Sequence, residues 1–141
     1  LDIELSAKEI LGAAVGAARA AGKTVIGSFH DFTATPDLSA LEAVAVSADQ
    51  AGVDILKVAV TCNTPEDLRR LATFTLAHAS RPLAVMGMGP AGMTSRIFFP
   101  ALGSLMTYTF LGEPSAPGQL NCLDTVKYIN LFYGFAGSKE G

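Results

Sequence analysis

An α/β protein built on a parallel sheet is the fold class this sequence predicts, and three observations predict it. Five short strand-like runs, centred near residues 3, 27, 57, 85 and 109, recur with Ala-rich amphipathic segments between them, a spacing that suits βαβ crossovers and leaves little room for hairpins. The runs are apolar almost throughout, as strands covered on both faces are. Half of the 141 residues are hydrophobic and the mean hydropathy is +0.38, enough apolar material for one ordinary domain with a buried sheet. A doubly wound sheet and a (β/α)₈ barrel both satisfy this pattern, and periodicity does not choose between them.

Each element has a local reason. Residues 1–5 alternate as a short strand. Ser6, with Glu9 three residues on, reads as a capping box that opens a helix to about Ala21, which Gly22 stops. Residues 24–30 form the next strand, followed by a polar turn with Pro36 and a helix over 38–51 that Gly52 ends. After the strand 55–60, Thr64 caps a helix with Pro65 in its first position and Glu66 and Asp67 in its first turn, where the helix dipole favours acids. That helix runs to about His78, which the pattern leaves as a surface group. A strand at 82–88, a short helix at 92–99, a strand at 107–111 and a closing helix at 123–133 complete the reading. No linker or low-complexity stretch divides the chain, so a single domain is expected.

Charge excludes some functions. The net charge is −3 and the ten basic residues are scattered, whereas nucleic-acid binding gathers several Lys and Arg on one face. The uncharged stretch from Ile97 to Gly112 is interrupted by Pro100 and Gly103 and is too short to span a bilayer. Cys62 and Cys122 lie far apart, with no C-x-x-C or metal-ligand spacing, which suggests two unlinked thiols in a reducing, cytoplasmic compartment.

Strand parity points to chemistry. In the run I-L-K-V-A-V, Leu56, Val58 and Val60 share one face, while Lys57 shares the other with Ile55 and Ala59. Ile26, Ser28 and His30 share a face of the preceding strand, with His30 at its carboxyl end; Met86 and Met88 share one in the following strand. If consecutive strands are neighbours, about 5 Å apart, Lys57 and His30 enter the same interior. Desolvation there would favour a neutral lysine amine, a nucleophile able to form an imine with a ketone, beside a histidine able to move protons near pH 7. The bland alternatives are a snorkelling lysine and a hydrogen-bonded structural histidine. Two loops add anion chemistry: G-M-G-P-A-G-M-T-S-R, with glycines that let backbone approach a ligand and Arg96 as a carboxylate fork, and E-P-S-A-P-G-Q, with Ser115 and Gln119 as neutral donors.

S-F-H-D-F-T-A-T-P, D-I-L-K-V-A-V, M-G-M-G-P-A-G-M-T-S-R and P-S-A-P-G-Q, in this order, resemble the type I 3-dehydroquinate dehydratases over nearly the whole chain. The resemblance implies a (β/α)₈ barrel that needs no metal or organic cofactor and eliminates water from 3-dehydroquinate in the shikimate pathway. It implies a Schiff base between Lys57 and the C3 ketone, His30 taking the C2 proton and later protonating the departing C1 hydroxyl, and Arg96 holding the substrate carboxylate. Ser115 and Gln119 would complete the polar contacts and Met88 would line the pocket. The family's E-W-R-x-D and R-S-x-x-E-G-G segments do not occur here, the second of which carries the glutamate that orients the histidine. Aligned on L-D-I-E-L, the chain is therefore expected to supply strands four to eight, the first three βα units belonging to a longer polypeptide or another chain, and a homodimer is possible in that family setting. Another Schiff-base barrel lyase of the class I aldolase kind, or a barrel fragment serving as a binding or assembly module, are the competing functions.

Overall fold

The computed structural model describes residues 1–114 and 118–134. Four parallel strands form one sheet: β1 (Asp2–Glu4), β2 (Ile26–Asp31), β3 (Ile55–Thr61) and β4 (Leu83–Met88), side by side in chain order. Between them run α1 (Lys8–Ala20), α2 (Leu38–Ala51) and α3 (Pro65–Ala77). After β4 come two single turns, α4 (Gly89–Gly92) and α5 (Ser95–Phe98), a 3₁₀ turn at Phe99–Leu102, and α6 (Cys122–Tyr133).

Strand order and helix placement choose between the two architectures that periodicity leaves open. Leu11, Val15 and Ala18 of α1, Leu41, Ala45 and Ala48 of α2, and Leu71 and Phe74 of α3 all join one core with Val25, Leu56, Val58, Val60, Leu83 and Val85. Helices therefore cover one face of a sheet whose order never reverses, the arrangement of a (β/α)₈ wall; a doubly wound sheet reverses and is covered on both faces. Each fully buried Leu or Phe in that layer contributes about 1.5–3 kcal/mol. The opposite face carries Ser28, Lys57, Ala59, Met86 and Met88, buried residues outside that core, and it is there that a site can form.

Most local signals act as read. Thr64 and Asp67 form a reciprocal capping box with Pro65 in the first turn of α3, and Gly52 ends α2 in the left-handed region at φ 68°. Asp37 caps α2 by accepting from the Ala40 amide. Both cysteines are free thiols, Cys62 buried and Cys122 partly so. Among the described residues, no helix is long and apolar enough to cross a membrane.

Four readings need correction. Ser6 does not cap α1: the N-cap is Ala7, without a side-chain bond, because the turn leaving β1 is closed by backbone bonds from Ala7 N–H to Glu4 and from Lys8 N–H to Ser6. Residues 107–111 are not a fifth strand and contribute only an isolated bridge between Phe110 and Asn121. Along this segment the Tyr108 carbonyl accepts from Arg96 and the Thr109 carbonyl from Gln119, while Phe110 exchanges backbone bonds with Leu120 and Cys122. The short helix read at 92–99 is two separate turns, the first starting at Gly89. His78 is not a bare surface group: its ring packs against Phe74 in a tilted arrangement at 4.5 Å and bonds to Glu42 at 3.0 Å.

Candidate active site

Parity and register assemble the site on the uncovered face of the sheet. Ser28 pairs with Lys57 across β2 and β3, His30 with Ala59, and Ala59 with Met86 of β4. Lys57 and His30, from adjacent strands, line a single cavity of about 230 Å³ with Ala59, Met86, Met88, Arg96, Tyr108 and Gln119. Lys57 is 8 % exposed, so its side chain is enclosed by the cavity wall.

Two carboxylates of β1 complete the cluster. Asp2 Oδ2 accepts from Lys57 Nζ at 2.9 Å, and Asp2 Oδ1 accepts from the Ser28 hydroxyl at 2.6 Å. Burial opposes the charged form of Asp2, but the hydrogen bonds from Ser28 and Lys57 prevail and hold its carboxyl below the usual carboxylate range. Glu4 contacts Nδ1 of His30, and Phe32 stacks flat on the imidazole at 5.7 Å. The ring plane and one nitrogen are thereby fixed, leaving Nε2 to act. The Tyr108 ring lies 4.8 Å from Lys57 Nζ.

Sequence reasoning missed Asp2, Glu4, Phe32 and Tyr108. The first two were within its reach, because L-D-I-E-L places both acids on one face by the same period-2 rule that singled out Lys57. The resemblance locates the histidine's orienting glutamate outside this chain, yet Glu4 already occupies Nδ1. Likewise, desolvation is not the only influence on Lys57, which has Asp2 as a counter-ion.

Arg96 reaches the cavity because the chain folds back at the end of β4. Gly87 and Gly92 pack backbone against backbone: a Cβ on Gly87 would lie 2.7 Å from the Gly92 Cα. These glycines approach each other rather than a ligand, and the short α4 and α5 then direct Arg96 inward. Arg96 is 2 % exposed. Its Nε donates to the Gly118 carbonyl at 2.9 Å and Nη1 to the Tyr108 carbonyl at 3.0 Å. Burial alone pushes it below its usual value, and among the described residues no carboxylate pairs with it. A buried guanidinium that meets neutral carbonyls and the Met86 sulfur, and no carboxylate among the described residues, has the chemistry to take an anion. Gln119 and Met88 line the same cavity; Ser115 lies outside the described residues. Asp31 has a local task, its Oδ1 accepting from the Thr33 hydroxyl and from the Thr33 and Ala34 amides to shape the turn after His30.

Among known proteins, the type I 3-dehydroquinase model matches residues 1–135. A 3-dehydroquinate dehydratase of Thermodesulfovibrio yellowstonii is 44% identical over 103 residues, which is 73% of this chain and 46% of the relative. One from Methanosarcina barkeri is 37% identical over 134 residues, 92% of this chain and 55% of the relative. The crystal structure of 3-dehydroquinate dehydratase from Geobacillus kaustophilus superposes with a TM-score of 0.88 at 29% identity, covering 96% of this chain and 54% of that one. The chain spans about half the length of the curated relatives it matches.

Proposed function

Because this chain belongs to the type I 3-dehydroquinase family, we propose that it supplies the Schiff-base half of a 3-dehydroquinate dehydratase, a lyase of the shikimate route to aromatic amino acids. One observation carries the reading: a lysine and a carboxylate-oriented histidine from adjacent strands share a cavity with a buried arginine that has no carboxylate partner among the described residues.

In this reading Arg96 takes the carboxylate of 3-dehydroquinate and sets the ring orientation. Lys57 Nζ adds to the C3 ketone, and loss of water gives an iminium, an electron sink for the C2–H bond. His30, held through Nδ1 by Glu4, removes the C2 proton with Nε2; the electron pair becomes the enamine. The enamine then expels the C1 hydroxyl, to which His30 returns the proton, and hydrolysis of the product iminium frees 3-dehydroshikimate and Lys57. Gln119 and Ser115 are assigned to the substrate hydroxyls and carboxylate, and Met88 to the apolar wall. The chemistry asks for no metal or organic cofactor. The remaining barrel strands would come from a longer polypeptide or another chain, in the cytoplasm, with a homodimer as the assembly that the family setting suggests.

Borohydride reduction in the presence of 3-dehydroquinate tests the proposal. One reduced ligand is expected on the peptide containing Lys57. Adduct on a different lysine, or an adduct only with unrelated aldol ketones, would overturn it.

A further inference from the structure

Lys57 Nζ sits between two partners to which the mechanism above gives no task. Asp2 Oδ2 lies 2.9 Å from it on one side, with Asp2 Oδ1 anchored by Ser28 at 2.6 Å. The face of Tyr108 lies 4.8 Å away on another. Resting on the Schiff-base reading of this site, we infer that Asp2 is a catalytic carboxylate for imine formation and hydrolysis, the counter-ion of the Lys57 nitrogen, with a task separate from that of the Glu4–His30 pair.

The charge balance of the reaction defines that task. The ammonium first gives up a proton; the free amine's lone pair forms the C–N bond while the carbonyl pair moves to oxygen, giving the carbinolamine once the nitrogen's extra proton has passed to that oxygen. The nitrogen pair then closes the C=N bond as the C–O bond breaks, and the hydroxide leaves as water with the proton the ammonium had released. The net change is ammonium plus ketone to iminium plus water. Nitrogen is cationic at both ends of this sequence and neutral in the amine and carbinolamine between them, so a fixed anion at 2.9 Å stabilises, relative to the neutral carbinolamine, the transition state in which positive charge returns to nitrogen as water leaves.

Proton abstraction obeys the opposite rule. Removing the C2 proton turns the cationic iminium into a neutral enamine, and a carboxylate beside the nitrogen opposes that loss of charge. Asp2 is therefore an accelerator of C=N formation and cleavage and no help to His30. Its hydrogen bonds keep it ionised, which suits a counter-ion better than a base. The other charged groups of the cavity leave the nitrogen to Asp2: His30 is engaged by Glu4 on β1, and Arg96 of α5 donates to Gly118 and Tyr108. Tyr108 adds a weaker attraction through its ring face.

Asp2→Asn keeps the shape and an acceptor for Ser28 while removing the charge. The rate at which 3-dehydroquinate forms a borohydride-reducible adduct at Lys57 should fall about 10- to 100-fold. The deuterium isotope effect from the C2 position should shrink toward unity, because closing the C=N bond becomes the slow step. Asp2→Glu should recover part of the rate, and Ser28→Ala, which only loosens the carboxylate, should slow adduct formation in the same sense by less; Ser28→Ala carries the test if the Asn protein does not fold. Adduct formation at the unaltered rate in folded Asp2→Asn, or slower turnover with an undiminished isotope effect, overturns the inference while leaving the Schiff-base reading intact. A parent protein that forms no adduct at Lys57 overturns both.

Discussion

A single methyl group on Gly92 tests whether the fold-back after β4 is what aims Arg96. A Cβ there would stand 2.5 Å from the Gly87 carbonyl carbon and 2.8 Å from its Cα, where ordinary contact begins at 3.4 Å. Both partners are backbone, so no side chain can swing aside, and β4 and α4 must separate by roughly 1 Å in a layer packed to crystal-like density. Overpacking of that kind costs about 1–3 kcal/mol, of which alanine's better helix propensity offsets less than about 1 kcal/mol. The displacement passes along α4 and α5 to the Arg96 bonds at 2.9 and 3.0 Å, so Gly92→Ala should lower the urea midpoint and also raise KM for 3-dehydroquinate by about tenfold, the effect of one weakened charged hydrogen bond. Gly12→Ala is the control: the added Cβ meets nothing within 4 Å on the exposed side of α1, and a gain of about 0.5–1 kcal/mol is expected. If Gly92→Ala behaved like Gly12→Ala in both stability and KM, the backbone contact would not be what positions Arg96.

Arg96→Ala should weaken binding of the carboxylate substrate by about 1.5–3 kcal/mol with adduct formation still detectable at high substrate, measured as a KM change; an unchanged KM would remove Arg96 from the anion site. His30→Ala should leave the Lys57 adduct trappable while kcat falls by roughly 10²-fold or more, and a variant that loses trapping instead would place His30 at the nitrogen rather than at C2. Acid should unfold the protein through its paired carboxylates. Asp31 is held below its ordinary value by the Thr33 hydroxyl, and Asp67, despite burial, by Thr64; with Asp2 also depressed, the unfolded chain binds more protons than the folded one as pH drops below about 4. Stability present above that pH is therefore lost progressively as pH falls through the lower folded values, and urea midpoints that match at pH 7 and pH 3 would contradict the assignment.

Local chemistry was legible in the sequence. The cap at Thr64, the stop at Gly52 and the face shared by Leu56, Val58 and Val60 depend on residues close in sequence, and each acts as its neighbours dictate. Period-2 alternation also placed Lys57 and His30 on the face that lines the cavity, because in a strand direction follows from position alone. The resemblance carried the family, and with it the pairing of lysine, histidine and arginine.

Contacts between distant segments decided the rest. Whether helices would cover one face or two depends on strand order, which is a matter of which runs pair and not of their periodicity. Residues 107–111 have the composition of a strand, yet they make one isolated bridge, and the carbonyls of Tyr108 and Thr109 accept from the distant side chains of Arg96 and Gln119. Arg96 itself is turned inward by a glycine–glycine contact that no spacing rule announces. The sequence determined that a lysine would stand inside an apolar wall; only the tertiary structure, by laying β1 against β2, decided that a carboxylate 55 residues away would meet it.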